Sequence, residues 1–293
     1  MSQHLLDPSW LSRLERLQLA TRKAVSGRYA GKRRARQLGS SMEFADFRAY
    51  VPGDDLRQLD WNAYARSGKL FLKKYLDETE LHVSLYIDCS RSMSYGQPSK
   101  LSRSLQIAAA LGYLSLCQLD HVSVYAFDSR IVASLRDLQG KGQAHRLLHF
   151  LSTVPEGGAG DLHAALRQPG AVRGKAGISI VLSDFLFPAG YADGLAYLQA
   201  ARQEVTLVQV LSREELLPDY TGELRLIDAE TSQAKEVSMT GLLLAEYQKS
   251  LQQYRQELAA FAYGRGIAFT GIEAEQSLES IVFHVFRQAG MIR

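Results

Sequence analysis

Residues 83–93 read Val-Ser-Leu-Tyr-Ile-Asp-Cys-Ser-Arg-Ser-Met. An apolar strand ends in Asp88, and hydroxyls follow at Ser90 and Ser92. This Asp-x-Ser-x-Ser run sets one carboxylate and two alcohols on a tight loop at a strand's carboxyl end, where open α/β sheets bind ligands. Hard divalent cations such as Mg²⁺ prefer oxygen donors and keep several waters beside one or two carboxylates. The same residue types also serve as ordinary turn formers and helix caps, so the run alone admits both readings.

The sequence around this loop points to the fold. Apolar, β-rich runs recur at 82–87, 122–127 (Val-Ser-Val-Tyr-Ala-Phe), 178–182 (Ile-Ser-Ile-Val-Leu), 205–210 (Val-Thr-Leu-Val-Gln-Val) and 267–271, alternating with helical patterns. Near-continuous apolar strands separated by helices predict an α/β protein with a mainly parallel sheet covered on both faces. A first crossover helix is expected from Ser99, a plausible N-cap after Pro98, to about Leu116, with Leu101, Leu105, Ala108, Ala109, Gly112 and Leu116 on its apolar face. Further helices are expected over about 241–262 and 276–288. Residues 222–239 break the alternation and read as an inserted β-hairpin, an insertion at about 220–240.

Residues 1–80 differ in character. A short amphipathic helix is expected near Pro8–Leu19. A basic stretch follows, with Arg22, Lys23, Arg28, Lys32, Arg33, Arg34 and Arg36, which reads either as a solvated loop or as a phosphate- or partner-binding patch. From Glu43 to about residue 75, aromatics, paired charges and the turn Pro52-Gly53 mix in a segment too apolar for a disordered tail. We expect residues 1–80 to form an extension packed on a main domain of residues 81–293, with Trp61 as a buried anchor because a buried Trp contributes a large apolar area.

Composition limits the class. The 293 residues are 46% hydrophobic and 22% charged, ordinary for a globular protein, and a net charge of +3 makes no case for nucleic acid by itself. Cys89 and Cys117 lack metal-ligand spacing and sit in apolar surroundings, so reduced thiols in a cytoplasmic protein are expected. The N-terminus shows no basic region followed by an apolar core, so no secretory leader is expected. No run reaches the roughly 18 apolar residues of a membrane span.

Beyond these physical signals, the run Phe44-Ala-Asp-Phe-Arg-Ala-Tyr-Val-Pro-Gly-Asp-Asp-Leu-Arg-Gln-Leu-Asp-Trp61, followed by Leu85-Tyr-Ile-Asp-Cys-Ser-Arg-Ser-Met93, resembles domain-of-unknown-function family fifty-eight. Leu224-Arg-Leu-Ile-Asp-Ala-Glu-Thr to Tyr247 is also similar to that family's C-terminal insertion. The resemblance implies a Rossmann-like von Willebrand factor A domain with a metal-ion-dependent adhesion site. It also implies a non-enzymatic adaptor that works beside a MoxR-type AAA+ ATPase in assembling or activating client proteins.

The family's metal site draws on three loops. Asp88, Ser90 and Ser92 match the first, and Ser183-Asp184 matches the third. The second loop normally offers a Thr before Asp-Leu, whereas here Gly157-Gly-Ala-Gly-Asp-Leu places Gly160 at the Thr position. Asp161 or water would have to compensate. Two outcomes stay open: a weaker, more hydrated site for Mg²⁺ (or Mn²⁺ or Ca²⁺) on Asp88, Ser90, Ser92, Asp161 and Asp184, or a domain that binds partners without metal. The alternative function is a metal-dependent phosphoester hydrolase using Asp88. Against it, Ser90 stands where a dehalogenase-type phosphatase needs a second Asp, and neither a P-loop nor a Gly-x-Ser-x-Gly elbow occurs. His145 and His149, four apart, read as part of an amphipathic surface helix.

Overall fold

The computed structural model describes residues 5–7, 11–20, 44–52, 54–56, 59–75, 81–172, 175–220, 222–228 and 233–293. The basic stretch from Arg22 to Arg36 lies outside the described residues, as do Glu43 and Arg57. The chain divides into two compact units, residues 1–22 with 81–293, and residues 23–80.

In the first unit, the N-terminal helix is a single turn, α1 (Leu11–Leu14). It buries Leu14 in the core, and Leu19 then bridges to Ile292.

The second unit is built on β1 (Phe44–Ala49), α2 (Trp61–Ser67) and β2 (Phe71–Tyr75), with the two strands antiparallel. Asp60 caps α2, accepting from the Asn62 and Ala63 amides at 2.9 and 3.1 Å. The left-handed residue Gly68 (φ 66°) ends the helix. Leu59 and Leu72 take the buried positions and form an isolated bridge. The expected Trp61 anchor is corrected here: Trp61 is 63% exposed and packs edge-on against Tyr64, with centroids 6.3 Å apart. As the first residue of a short helix, it falls outside the Leu59–Leu72 contact.

The rest of the first unit supplies a six-stranded sheet. Its strands are β3 (His82–Asp88), β4 (His121–Phe127), β5 (Ile131–Gln139), β6 (Gly177–Ser183), β7 (Gln203–Leu211) and β10 (Ala268–Glu273), ordered β10-β7-β6-β3-β4-β5. All neighbours are parallel except the edge pair β4–β5. The sequence pattern did not reveal β5. Its residues are mostly half-exposed, so an edge strand facing water carries a weak apolar signal.

Alternation places every central strand between two cores. Val83, Leu85 and Ile87 of β3, Val122, Val124 and Ala126 of β4, and Ile178, Ile180 and Leu182 of β6 face one side. Tyr86, Tyr125, Phe127, Val181 and Leu207 face the other. On that second side Tyr86 stacks on Tyr125 at 5.0 Å and donates to the Ala171 carbonyl at 2.8 Å. The first core is covered by α3 (Lys100–Cys117), which starts at Ser99, whose hydroxyl accepts from the Ser102 amide at 3.1 Å. Gly112 lets α4 (Ala144–Ser152) approach, since a Cβ there would meet Leu147 at 2.7 Å. His145 and His149 are both exposed on α4 while Leu147 and Leu151 are buried, as expected of a surface helix.

The connections carry the remaining helices: α5 (Leu162–Leu166), α6 (Ala192–Ala200) and α7 (Arg213–Leu216). Strands β8 (Gly222–Ile227) and β9 (Ala234–Met239) form an antiparallel hairpin before the long helix α8 (Gly241–Gly264). The chain ends in α9 (Leu278–Ser280), a π-helical turn at Ile281–Val285, and α10 (Phe286–Gln288). No helix among the described residues is long and apolar enough to cross a membrane.

Candidate functional site

Strands β3 and β6 are adjacent in the sheet, yet the chain leaves them toward opposite edges. This is the switch point of the strand order, where a crevice opens beyond the carboxyl ends. Asp88 ends β3 and Ser183-Asp184 ends β6, so the sheet itself brings the first and third loops together.

Asp88 is fully buried and its two oxygens are both engaged. Oδ1 accepts from the Ser90 amide at 2.9 Å, and Oδ2 accepts from the Ser183 hydroxyl at 2.6 Å. The hydroxyls of Ser90 and Ser92 are 3.2 Å apart, with Ser90 buried and Ser92 half-buried. Ser183 Oγ also accepts from the Phe185 amide at 2.8 Å. Phe185 holds φ at 60°, the left-handed region that bulky residues avoid, so backbone strain sits directly at this loop. Burial, and then the neighbouring charge of Asp184, raise the Asp88 carboxyl to about 7.

The second loop closes over the first. The Arg91 amide donates to the Gly158 carbonyl at 3.0 Å, and the Gly157 amide donates to the Cys89 carbonyl at 2.6 Å. A Cβ at Gly160 would stand 3.2 Å from Ser90 Cβ and 3.0 Å from two ring atoms of Phe187. The glycine is therefore matched to Phe187, whose ring takes the space a larger side chain would need. Asp161 spends one oxygen capping α5, accepting from the Ala164 amide at 2.9 Å. Its own amide donates to the Asp128 carbonyl at 3.1 Å.

Two further features escaped the sequence reading. Asp128, at the end of β4, is 8% exposed and accepts from the Gly158 amide (2.9 Å) and the Arg130 amide (2.9 Å). It shapes the second loop from behind. The sequence signal was a third strand-end Asp, after Phe127. Lys100, the first residue of α3, is fully buried, and its ammonium donates to Asp184 Oδ2 at 2.7 Å and Glu215 Oε1 at 2.5 Å. Burial alone would lower this ammonium's pKa, but the two carboxylates outweigh burial and hold it raised. Asp184 Oδ1 accepts from the Leu186 amide at 3.0 Å, so both oxygens of Asp184 already have partners. Glu215 is fixed in turn by a reciprocal cap with Ser212.

The residues expected at the site thus fall into three groups. Asp88, Ser90 and Ser92 form one cluster of oxygen donors. Asp184 neighbours Asp88 and is tied to the ammonium of Lys100. Asp161 lies in the loop over Ser90 and acts as a helix cap. The donor set is all oxygen, which suits a hard divalent cation. An ion resting on Asp88 and the two hydroxyls would complete its shell with water. Ser92 is the half-buried member of that cluster.

Comparison with known proteins gives the family. The model described as protein of unknown function DUF58 matches residues 46–257. An uncharacterized protein of Mycobacterium bovis is 28% identical over 279 residues, covering 92% of this chain and 86% of that protein. One from Mycobacterium avium is 35% identical over 127 residues, covering 41% of this chain and 72% of that protein. Among solved structures, the pilus adhesin SpaC of Lactobacillus rhamnosus GG aligns with a TM-score of 0.42 and 11% identity, over 74% of this chain and 31% of that one. The conserved hypothetical protein BatB of Bacteroides thetaiotaomicron aligns with a TM-score of 0.39 and 14% identity, over 71% of this chain and 98% of that one. With the family model covering most of its length, the chain belongs to the family of proteins of unknown function DUF58.

Proposed function

We propose that residues 81–293 form a von Willebrand factor A-like domain that binds partner proteins through the crevice above Asp88, and that the protein is a non-enzymatic adaptor rather than a hydrolase. The observation that carries this reading is the convergence on Asp88, Ser90 and Ser92 of the loops that end β3 and β6, at the switch point of the strand order, with the α4–α5 loop closing over them. The antiparallel edge strand β5 is consistent with it. In such a site, an acidic side chain from the partner completes the shell of a bound Mg²⁺, or of Mn²⁺ or Ca²⁺, so that the ion bridges two proteins. The partner we propose is a MoxR-type AAA+ ATPase, with an assembly or activation client as the third component. The cytoplasm is the proposed compartment, supported by two free cysteines.

Burial speaks against Asp88 as a direct nucleophile. Asp88 is fully buried, with both oxygens already bonded, whereas a nucleophilic carboxylate must reach substrate. The test is a pull-down with a purified MoxR-type AAA+ ATPase, with Mg²⁺ or with EDTA, using wild type and Asp88→Ala. The reading expects capture that needs both Mg²⁺ and Asp88. Capture that ignores both but fails on charge reversal of Arg33, Arg34 and Arg36 would move the docking surface to the basic segment. Turnover of phosphoesters with Mg²⁺, lost in Asp88→Asn, would replace the adaptor by the enzyme.

A further inference from the structure

At the opposite end of the sheet, we propose a second metal site of a different chemical kind: His82, His121 and Asp137 together take Zn²⁺ or a neighbouring first-row divalent ion. His82 opens β3 and His121 opens β4, and the two are register partners on adjacent parallel strands. Their rings stack with centroids 4.7 Å apart and planes 28° from parallel, so a turn of one ring about its side-chain torsions is what aims both nitrogens at one ion. The third donor comes from the edge strand. Val122 pairs with Leu138 and Val124 with Leu135, so Arg136 and Asp137 together face Ser123, which is a β-bulge. Asp137 takes a left-handed φ of 57°, and its amide donates to Ser123 Oγ at 3.2 Å. Bulges of this kind re-aim side chains. Here the bulge accompanies a carboxylate placed beside the imidazole pair. One ligand atom from each of the three residues lies within 4.8 Å of the others.

The distances suit an ion better than a direct contact. His121 Nδ1 and Asp137 Oδ1 are 3.8 Å apart, too far for a hydrogen bond. An ion about 2.0–2.2 Å from each atom spans that gap at an open angle. Tetrahedral donors around Zn²⁺ stand about 3.3 Å apart at those bond lengths. The remaining closure takes a small shift of the three side chains, of which Asp137 is 53% exposed, while the backbone of Asp137 is held by the bulge. Two imidazoles and one carboxylate select the Zn²⁺, Co²⁺, Ni²⁺ and Cu²⁺ group rather than Mg²⁺ or Ca²⁺, which want oxygen throughout. Three protein donors leave a fourth position for water or an outside ligand. The half-buried imidazoles and exposed carboxylate leave that position reachable from solvent.

The site is independent of Asp88, and the test keeps them apart. Metal-stripped full-length protein is titrated calorimetrically with Zn²⁺ in millimolar Mg²⁺, and with Co²⁺ followed by its visible absorption. The expected result is one equivalent of Zn²⁺, a tetrahedral Co²⁺ spectrum, and binding unchanged in Asp88→Ala. Affinity should fall at least tenfold in His121→Ala and in Asp137→Asn, the latter nearly isosteric and so a guard against simple unfolding. Absence of binding at micromolar Zn²⁺ overturns the proposal. So does binding that survives Asp137→Asn and His82→Ala but disappears in the His145→Ala, His149→Ala double variant, which would place the ion on the surface of α4.

Discussion

The ammonium of Lys100 sits 2.7 Å from Asp184 Oδ2, with both side chains buried. A tethered cation therefore already occupies one side of the pocket in which two carboxylates, Asp88 and Asp184, face each other. It neutralises the third-loop acid and joins α3, β6 and α7 through Glu215. This arrangement offsets the charge of one of the two buried strand-end acids.

Removing that cation exposes the charge problem. Lys100→Met leaves Asp184 and Glu215 without their counter-ion, and breaking a buried pair in this way costs about 3–5 kcal/mol. Urea unfolding in EDTA should show this loss. Added Mg²⁺ or Mn²⁺ should recover more stability in the variant than in wild type, because the vacated corner then admits a divalent ion. Equal responses of the two proteins to metal would show that Lys100 does not compete with an ion there.

The Asp88 carboxyl gives a pH signature. It titrates near 3.8 in its reference state and near 7 when folded. Between those values the folded protein keeps a proton that the unfolded chain has lost, so without metal the stability falls as pH rises from about 4 to about 7, then levels off. Asp88→Asn lacks this penalty. Its advantage over wild type should grow across the same window to about 1–4 kcal/mol, read from unfolding curves at pH 4.5 and pH 8 in EDTA. Mg²⁺ affinity of the wild type should move the opposite way, strengthening as pH rises to about 7 and levelling off above it, because the proton and the ion compete for one carboxylate. A variant advantage that is constant with pH would mean that Asp88 is not the titrating group.

Gly160 links sequence and packing. Introducing a hydroxyl with Gly160→Thr places a Cβ 3.0 Å from the Phe187 ring, and such overpacking costs about 1–3 kcal/mol. The single variant should lose stability and gain no metal affinity. Gly160→Thr with Phe187→Leu should relieve the clash, and calorimetry should then register tighter Mg²⁺ binding than in wild type. If the single variant binds Mg²⁺ tightly without loss of stability, Phe187 is not the obstacle.

In the second unit, Asp60 should matter more than its aromatic neighbour. Trp61 is exposed, so Trp61→Ala should change stability by about 0.5 kcal/mol or less. Asp60→Ala removes a two-amide cap and should cost about 1 kcal/mol. Thermal unfolding of the two variants side by side decides the order.

The sequence by itself determined the elements whose signals are local. The near-continuous apolar runs of β3, β4, β6 and β7, the Ser99 cap of α3, the hairpin at 222–239 and the Asp88-Ser90-Ser92 loop all depend on neighbours within a few residues, where apolar runs and turn chemistry are written directly. Edge strand β5 was lost because a strand with water on one face carries little apolar pattern. Trp61 was misplaced because aromatic character does not say which side of a short helix faces inward. Tertiary structure alone decided the pairings across long stretches of chain. Lys100 meets Asp184 across 84 residues and Glu215 across 115, and His82 meets His121 only because β3 and β4 lie side by side in register. A larger side chain at 160 is excluded because the ring of Phe187 fills the space its Cβ would need. Such contacts follow from sheet order and helix packing, which no local spacing of residues records.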